Sequence, residues 1–298
     1  MLNVNVGVLG HIDSGKTSLA RALSTVSSTA AFDKSPQSHE RGITLDLGFS
    51  SFSLDVSSDP SFASNGISTL QVTLVDCPGH ASLIRTVIGG ALIMDLMMLV
   101  VDATRGIQTQ TAECLVVGEV VSKPLMVLLN KVDAVQGATD ADKTQNLAKM
   151  RKRLAATMGQ TRWPTAPILD VAADPGALGL TCDLKSREEA QQPRGLDAVI
   201  QLIKSMVDPV DMVARRDVAK KQVMASKKSG DGCDFFMFVD HCFPVKGQGT
   251  VLTGTVTRGA IKVGDDVVLP DYQETRRVKS IQVFRKPVDC AVVGDRIG

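Results

Sequence analysis

Residues 10–17, with the sequence GHIDSGKT, match the pattern GxxxxGK[ST]. They follow an apolar run at residues 4–9 and open a helical pattern at residues 16–23. Glycines let successive backbone N–H groups surround a phosphate, and the N-terminus of the following helix favours the anion. In this pattern a lysine reaches the β- and γ-phosphates and the next hydroxyl group is offered to Mg²⁺. The segment therefore predicts a nucleoside-triphosphate site, with contacts from Asp13, Ser14, Gly15, Lys16, Thr17 and Ser18.

Short apolar runs alternate with helical patterns over the first two-thirds of the chain. The runs show little polar alternation, as in strands that are buried on both faces of a parallel sheet. This rhythm predicts an α/β domain with a doubly wound, mostly parallel sheet over residues 1–210. The predicted strands are residues 4–9, 70–75, 96–101, 125–129 and 168–171, and the predicted helices are residues 16–23, 80–93, 109–121, 140–157 and 195–207.

The period of the apolar pattern changes to two after residue 234. Short runs separated by glycine-containing turns predict an antiparallel β-barrel over residues 234–298, incomplete in this chain. Residues 211–233 are polar and basic, and we interpret them as a linker between the two predicted domains. Residues 55–69 are rich in serine and carry a proline and a glycine, which predicts the tip of a hairpin.

Composition excludes several classes of protein. Of 298 residues, 44% are hydrophobic and 22% are charged, which favours a packed core over a disordered chain. The net charge of +1 provides no overall basic field for nucleic acid. The six cysteines contain no CxxC pair, which argues against a zinc knuckle or a disulfide scaffold. The first residues do not resemble a signal peptide, and the longest apolar stretch is too short to span a bilayer, so we expect a cytoplasmic protein.

The sequence NKVD at residues 130–133 follows a predicted strand. The carboxylate of Asp133 can accept hydrogen bonds from both N1–H and the 2-amino group of guanine, a donor pair that adenine lacks. Asn130 can bond the other edge of the purine, and the aliphatic stem of Lys131 can cover the ring. Downstream of a phosphate loop, these residues favour GTP over ATP.

The sequence DCPGH begins at Asp76, directly after another predicted strand. Asp76 would hold Mg²⁺ through water, the N–H of Gly79 can reach the γ-phosphate, and His80 can orient the attacking water. The sequence RGIT ends at Thr44, whose hydroxyl could bind Mg²⁺ only while the γ-phosphate is present, as in an order–disorder switch. The four elements in this order predict a GTPase that converts GTP to GDP and phosphate.

DCPGH, RGIT and NKVD together resemble the translational GTPases, the class of elongation factor Tu. In that class the histidine of DCPGH positions water, as we expect for His80. The resemblance implies that Ile12 and Ile43 are the two apolar side chains that form a hydrophobic gate around this histidine until the ribosome releases it. Residues 239–254 look like the start of the β-barrel that follows the G domain in these factors.

Within this class, residues 30–48 and 76–118 resemble the eukaryotic or archaeal selenocysteine-specific elongation factors. The resemblance implies a GTP-dependent carrier that brings selenocysteinyl-tRNA to the ribosome at recoded UGA codons. It implies a further partner, the selenocysteine-insertion RNA element, reached directly or through its binding protein, and no membrane. It also implies a pocket for the selenocysteine side chain, formed by Asp240, His241 and Arg296.

The chain departs from the class in its last guanine element. The class has a Ser-Ala or Ala-Ala turn, and here residues 171–174 read VAAD. The resemblance still implies that a backbone N–H of Ala172 or Ala173 meets the guanine oxygen. Two alternatives stay open: a carrier of initiator tRNA like the gamma subunit of initiation factor 2, for which a zinc knuckle is expected, and a protein that binds GTP but delivers no tRNA.

Overall fold

The computed structural model describes residues 1–24, 26–27, 47–78, 84–177, 191–229, 235–245, 249–284 and 286–298. The chain divides into two compact units. The first, which we call the α/β unit, consists of Val4–Phe52 and Val72–Val207. The second, the β unit, consists of Met1–Asn3, Ser53–Gln71 and Asp208–Gly298.

A mixed sheet lies at the centre of the first half of the chain. Its described strands are β1 (Leu2–Gly10), β2 (Val26–Ser27), β3 (Gly48–Asp55), β4 (Thr69–Asp76), β5 (Leu96–Asp102), β6 (Leu125–Asn130) and β7 (Ile168–Asp170). Their order across the sheet is β2-β3-β4-β1-β5-β6-β7. The pairs β1–β5, β5–β6 and β6–β7 are parallel, as predicted, whereas β2 pairs with β3 in the antiparallel sense.

Every residue of β1, β5 and β6 is buried, which explains why these strands show no polar alternation. The strand β3 escaped sequence analysis because its polar and apolar residues are buried together, Ser50 and Ser51 included. Residues 55–69, predicted as the tip of a hairpin, join β3 to its neighbour β4.

Helices connect the strands. The described ones before residue 208 are α1 (Lys16–Leu23), α2 (Pro60–Ala63), α3 (Ile84–Ile93), α4 (Thr109–Val121), α5 (Asp140–Met158) and α6 (Leu196–Met206). Local chemistry sets their first residues: Thr139 and Asp142, for example, form a capping box at the start of α5. None of the helices in the described part of the chain is long and apolar enough to cross a membrane.

The β unit contains short antiparallel strands, as the period of two predicts. They are β8 (Phe236–Val245), β9 (Gly249–Arg258), β10 (Ala260–Lys262), β11 (Asp266–Leu269), β12 (Glu274–Arg277), β13 (Ile281–Val283), β14 (Lys286–Val288), β15 (Cys290–Val292) and β16 (Arg296–Ile297). The longest ladder joins β8 to β9, and β16 pairs with the other edge of β9. The apolar core of this unit consists of Val256, Ile261, Ile281, Val283, Ala291 and Ile297.

A helix occupies most of the segment that we interpreted as a linker. This helix, α7 (Pro209–Ser229), belongs to the β unit, where it packs against β10 and β15. Asp208 accepts hydrogen bonds from the backbone N–H groups of Val210 and Asp211, which caps the first turn. Sequence analysis missed the helix because its residues are mostly polar and show little apolar periodicity. The linker function of residues 211–233 remains a prediction.

Candidate functional site: a phosphate loop and a charged cluster

The phosphate loop between β1 and α1 has the backbone that its glycines permit. Gly15, at the N-terminus of α1, has a φ of 89°, in the left-handed region. A Cβ atom at this position would lie 2.3 Å from Nδ2 of Asn130, so only glycine fits. Asp13 also has a positive φ, 59°, and the N–H of Ser14 donates to the carbonyl oxygen of His11. Such a backbone is what the glycine-containing pattern predicts for a loop that surrounds an anion.

Lys16 lies within this loop with its ammonium group buried. Its Nζ donates to the carbonyl oxygen of His11 at 2.7 Å. Burial lowers the pKa of Lys16, and the carboxylate of Asp76 opposes this effect in part. The ammonium group of Lys16 thus lies inside the phosphate loop, where it can stabilise a bound anion.

Asp76, at the end of β4, meets the first turn of α1. Its Oδ2 accepts a hydrogen bond from Oγ1 of Thr17 at 2.7 Å. Burial raises the pKa of Asp76 to about 6, although the Thr17 hydroxyl and Lys16 counteract it. The second carboxylate oxygen, Oδ1, is buried with no hydrogen-bond partner among the described residues. Hard oxygen atoms of this kind are the ligands that Mg²⁺ prefers, so the pair Thr17 and Asp76 fits this ion.

Asn130 connects two loops to its own strand end. Its Nδ2 donates to the carbonyl oxygen of Ser14 at 2.9 Å, and its Oδ1 accepts from the N–H of Ala173 at 3.1 Å. Both ends of the amide are therefore engaged within the protein. In the structure Asn130 holds the phosphate loop against the turn at residues 171–174. Its contact with the purine edge remains a prediction.

The two alanines of that turn also have partners. The N–H of Ala172 donates to the carbonyl oxygen of Arg194 at 3.1 Å, and that of Ala173 donates to Asn130. Our expectation that one of these N–H groups meets the guanine oxygen thus requires a hydrogen bond to be exchanged. The structure gives Ala172 and Ala173 a direct role in shaping the turn.

Lys131 and Asp133 follow the end of β6. Lys131 has a positive φ of 61°, and its Nζ pairs with Oδ2 of Asp102 at 2.9 Å. This ion pair fixes the direction of the lysine stem, which passes close to Gly15. Asp133 lies in a short helical turn, Val132–Ala134, and its side chain is exposed. An exposed carboxylate there is accessible to a base.

Sequence analysis missed two residues that organise this region. Asp102 is 3% exposed; burial would raise its pKa, but hydrogen bonds from Thr104 and the ammonium group of Lys131 outweigh this and hold it below the ordinary value. Gln110, in α4, accepts a hydrogen bond from the N–H of Ile12 at 3.1 Å. The position of Asp102 at the carboxyl end of a parallel strand was the available signal, because sites in open α/β sheets form there.

Four of the predicted site residues lie outside the described residues: Ile43, Thr44, Gly79 and His80. Their proposed roles in the hydrophobic gate, in Mg²⁺ binding and in catalysis therefore remain predictions.

A second group of charged side chains lies on the β unit, between β8, β9 and β16. Arg296 donates to both oxygens of Asp240, from Nη1 to Oδ2 at 2.5 Å and from Nη2 to Oδ1 at 3.0 Å. Asp240 Oδ1 also contacts Nδ1 of His241 and accepts from Oγ1 of Thr253, both at 2.8 Å. The structure thus brings together the three residues that we expected to form a pocket, and we call them the charged cluster.

The three side chains of this cluster differ in their exposure to solvent. The side chain of Arg296 is 5% exposed and that of Asp240 is 15% exposed, whereas that of His241 is 32% exposed. Burial would raise the pKa of Asp240, but hydrogen bonds from His241 and Arg296 outweigh this and lower it. Asp240 is therefore an ionised partner of Arg296, and His241 is the most exposed member of the cluster.

The parallel sheet, the phosphate loop at its centre and the guanine-selective sequence together define a P-loop nucleotide-binding protein. Two family models match the chain: "Elongation factor Tu GTP binding domain" over residues 1–244 and "Elongation factor Tu domain 2" over residues 249–298. The chain therefore belongs to the elongation factor Tu GTP-binding domain family.

Its relatives include two curated proteins named "Selenocysteine-specific elongation factor". The chain is 50% identical to the one from Mus musculus, over all of this chain and 46% of that protein. It is 38% identical to the one from Methanocaldococcus jannaschii, over all of this chain and 53% of that protein. This chain spans about half the length of both relatives.

Solved structures show the same similarity. A bacterial selenocysteine-specific elongation factor superposes with a TM-score of 0.73 at 25% identity, over all of this chain and 42% of that one. Translation elongation factor SelB from Methanococcus maripaludis, in complex with the GTP analogue GppNHp, superposes with a TM-score of 0.67 at 29% identity, over all of this chain and 51% of that one.

Proposed function

We propose that this chain is the nucleotide-binding part of a selenocysteine-specific elongation factor. It binds GTP, carries selenocysteinyl-tRNA to the ribosome for incorporation at recoded UGA codons, and hydrolyses GTP to GDP and phosphate on delivery. The family match supports the binding of GTP, and the relatives that match the whole chain support selenocysteinyl-tRNA as the partner. We place the protein in the cytoplasm, where translation takes place, with the selenocysteine-insertion RNA element as a further partner, directly or through its binding protein.

The phosphate loop binds the nucleotide in this proposal. Lys16 exchanges its contact with the carbonyl oxygen of His11 for the phosphates, and the N–H groups around Gly15 donate to the same anion. Thr17, Asp76 and Thr44 would hold Mg²⁺, which neutralises charge on the phosphates when bound. The exposed carboxylate of Asp133 selects guanine.

Hydrolysis depends on the position of one water molecule. His80 orients this water for attack on the γ-phosphate, and the apolar side chains of Ile12 and Ile43 keep the histidine away until the ribosome acts. The hydrogen bond from the N–H of Ile12 to Gln110 supports one side of this gate, because it fixes the backbone from which the Ile12 side chain extends.

The charged cluster is the single observation that carries the choice of tRNA. A selenol is more acidic than a thiol, so the selenocysteine side chain is an anion at neutral pH, whereas that of its seryl precursor is neutral. An opposite charge within a few ångströms favours the charged ligand. Since Asp240 already neutralises Arg296, an imidazolium at His241 supplies the net positive charge, and this is also the most exposed member of the cluster.

The proposal is tested by the selectivity for the amino acid, measured in the complete protein that contains this chain. His241→Ala should weaken the binding of selenocysteinyl-tRNA by roughly tenfold, or about 1.4 kcal/mol, and leave the binding of seryl-tRNA nearly unchanged. Arg296→Ala should have a larger effect, because it leaves Asp240 as an unpaired negative charge.

Arg276→Ala provides a matched control. Arg276 is an exposed arginine that pairs with Glu274 on the same unit, and its loss should affect neither tRNA. An equal loss for selenocysteinyl-tRNA and seryl-tRNA in the His241 variant would contradict the proposed pocket.

A further inference from the structure

We infer that Asn3 and Arg216 are positioning residues for the charged cluster. Their side chains donate hydrogen bonds to the carboxylate of Asp295 and thereby orient its neighbour, Arg296. The inference rests on the proposed function, since its consequence is selectivity for selenocysteinyl-tRNA. None of the three residues belongs to the cluster itself, and all lie in the β unit.

Asp295 is the centre of a second hydrogen-bond network. Its side chain is 6% exposed. Oδ1 accepts from Nη1 of Arg216 at 2.7 Å and from Nδ2 of Asn3 at 2.5 Å, and Oδ2 accepts from Nη2 of Arg216 at 3.4 Å. Oδ2 also accepts from the backbone N–H of Val292 at 2.9 Å. Both carboxylate oxygens are thus held by groups from three separate segments of the chain.

The backbone around Asp295 is equally constrained. Its carbonyl oxygen accepts from the N–H of Val256, and its own N–H donates to the carbonyl oxygen of Val292 at 3.0 Å. Gly294 has a φ of 89° and closes the turn with a hydrogen bond to Val256. The turn therefore enters β16 in one fixed orientation.

The peptide bond between Asp295 and Arg296 connects the two networks. Arg296 is the first residue of β16 and pairs in register with Thr255 of β9. Asp295, in the turn immediately before β16, contacts Arg216 of α7 and Asn3 near the start of the chain, while Arg296 contacts Asp240 of β8. A rotation of the backbone at Asp295 would turn the guanidinium group of Arg296 away from Asp240.

The orientation of Arg296 matters because its guanidinium group donates to both carboxylate oxygens of Asp240. One of these oxygens, Oδ1, also contacts His241. A displaced Arg296 would leave Asp240 less neutralised and free to change its contact with His241. The cluster would then offer less net positive charge to an anionic side chain. Arg216 and Asn3 influence the pocket through this chain of contacts without touching the ligand.

The experiment replaces Arg216 by methionine, which keeps the aliphatic stem of the side chain and removes its charge and donors. Arg215→Met is the matched control: Arg215 is the preceding residue of α7, and it pairs with Asp211 in an exposed i,i+4 ion pair. Binding of selenocysteinyl-tRNA and of seryl-tRNA is measured in the complete protein, together with the affinity for GTP and the midpoint of thermal unfolding.

Arg216→Met should reduce the preference for selenocysteinyl-tRNA over seryl-tRNA by roughly tenfold at temperatures well below unfolding. Affinity for GTP should not change, Arg216→Lys should restore part of the preference, and Arg215→Met should behave as wild type. If Arg216→Met does not fold, Asn3→Leu is measured in its place. It should also reduce the preference for selenocysteinyl-tRNA, but by less.

A lower unfolding midpoint with an unchanged preference would overturn the inference, because the network would then be structural only. In that case His241→Ala still reports on the proposed pocket. If His241→Ala and Arg296→Ala also leave the preference unchanged, the proposed function of the charged cluster fails independently of Arg216.

Discussion

Several side chains at the nucleotide site bind other parts of the protein. Asn130 uses both ends of its amide on backbone groups, and Lys131 directs its ammonium group to Asp102. Asp133 is exposed and differs from both in this respect. Of these three residues, Asp133 is the one for which we propose the main contact with the base, and base contacts of Asn130 and Lys131 also remain predictions.

Replacing Asp133 by asparagine tests this assignment. The carboxylate accepts from both donors of guanine, whereas an amide presents one donor and one acceptor. Asp133→Asn should therefore shift the preference from GTP towards the xanthosine nucleotide, by about 1–3 kcal/mol for one mismatched hydrogen bond. Nucleotide titrations measure this shift. Asp140→Asn, at an exposed carboxylate on α5, is the control, and unchanged GTP affinity in Asp133→Asn would refute the assignment.

His80 and Lys16 should separate catalysis from binding. His80→Ala should leave the affinity for GTP near that of the wild type but slow hydrolysis on the ribosome, since a residue that positions water acts mainly in the transition state. Lys16→Ala should abolish binding, because the loop loses its buried positive charge. Equilibrium binding and single-turnover hydrolysis distinguish the two effects. Normal ribosome-stimulated hydrolysis in His80→Ala would show that His80 has no catalytic role.

Asp102 should contribute stability that depends on pH. Its pKa in the folded protein lies below the value of about 3.9 expected for the unfolded chain. A depressed pKa means that the contribution is present above pH 4 and is lost as the pH falls through the folded value. Asp102→Asn should thus lower the free energy of unfolding at pH 7 and show a smaller difference from wild type in stronger acid. Urea unfolding of both proteins at pH 7 and in stronger acid measures this difference in free energy. A difference that grows on acidification would show that the ionised carboxylate of Asp102 is not its cause.

At the scale of elements, the site lies where the carboxyl ends of parallel strands meet the loops that follow them. The loop after β1 and the turn after β7 converge on the side chain of Asn130, the last residue of β6. Gly15 allows this approach, because any Cβ there would overlap Asn130 Nδ2. A single buried amide therefore aligns two loops with the end of β6, and each of these segments carries residues of the proposed nucleotide site.

Asn130→Ala should consequently disturb more than one loop. The variant leaves the carbonyl oxygen of Ser14 and the N–H of Ala173 without their partner, and each unsatisfied buried group costs about 1–3 kcal/mol. We expect a lower midpoint of urea unfolding and weaker GTP binding. Asn146→Ala is the matched control, since this exposed amide makes one hydrogen bond, to the carbonyl oxygen of Gln136. Equal effects of the two variants would refute the bridging role.

At the scale of the whole molecule, the chain consists of two units with separate cores. The described residues of the phosphate loop, and residues 130–133 with the sequence NKVD, lie in the α/β unit. The charged cluster and the Asp295 network lie in the β unit. The proposed nucleotide site and the proposed pocket for the charged amino acid thus lie in different units, each with its own buried polar contacts.

Ligand-dependent stabilisation should follow this division. GTP with Mg²⁺ at 100 times its Kd stabilises the folded form that binds it by about 2.7 kcal/mol. Hydrogen exchange should therefore slow in β1, β5 and β6 on addition of nucleotide and remain unchanged in β8 and β9. Equal protection of both sets of strands would show that the two units respond as one.

Patterns that are local in sequence were sufficient for the phosphate loop, the buried parallel strands and the antiparallel β unit. Glycine spacing, apolar runs and turn residues act over a few positions, so their consequences can be read without the rest of the chain. They were insufficient for α7, whose helical form depends on an Asp208 cap and on packing against β10 and β15.

Contacts between distant residues were decided by the packing and strand register of the folded chain. Asn130 meets Ser14 across 116 positions of sequence, Arg216 meets Asp295 across 79, and Arg296 meets Asp240 across 56. Nothing near these residues specifies the partner, because a side chain finds its partner only after strand order and register have placed the two segments together. The amino-acid sequence therefore established the kind of chemistry, while the tertiary structure established which groups are free to perform it and which hold them in position.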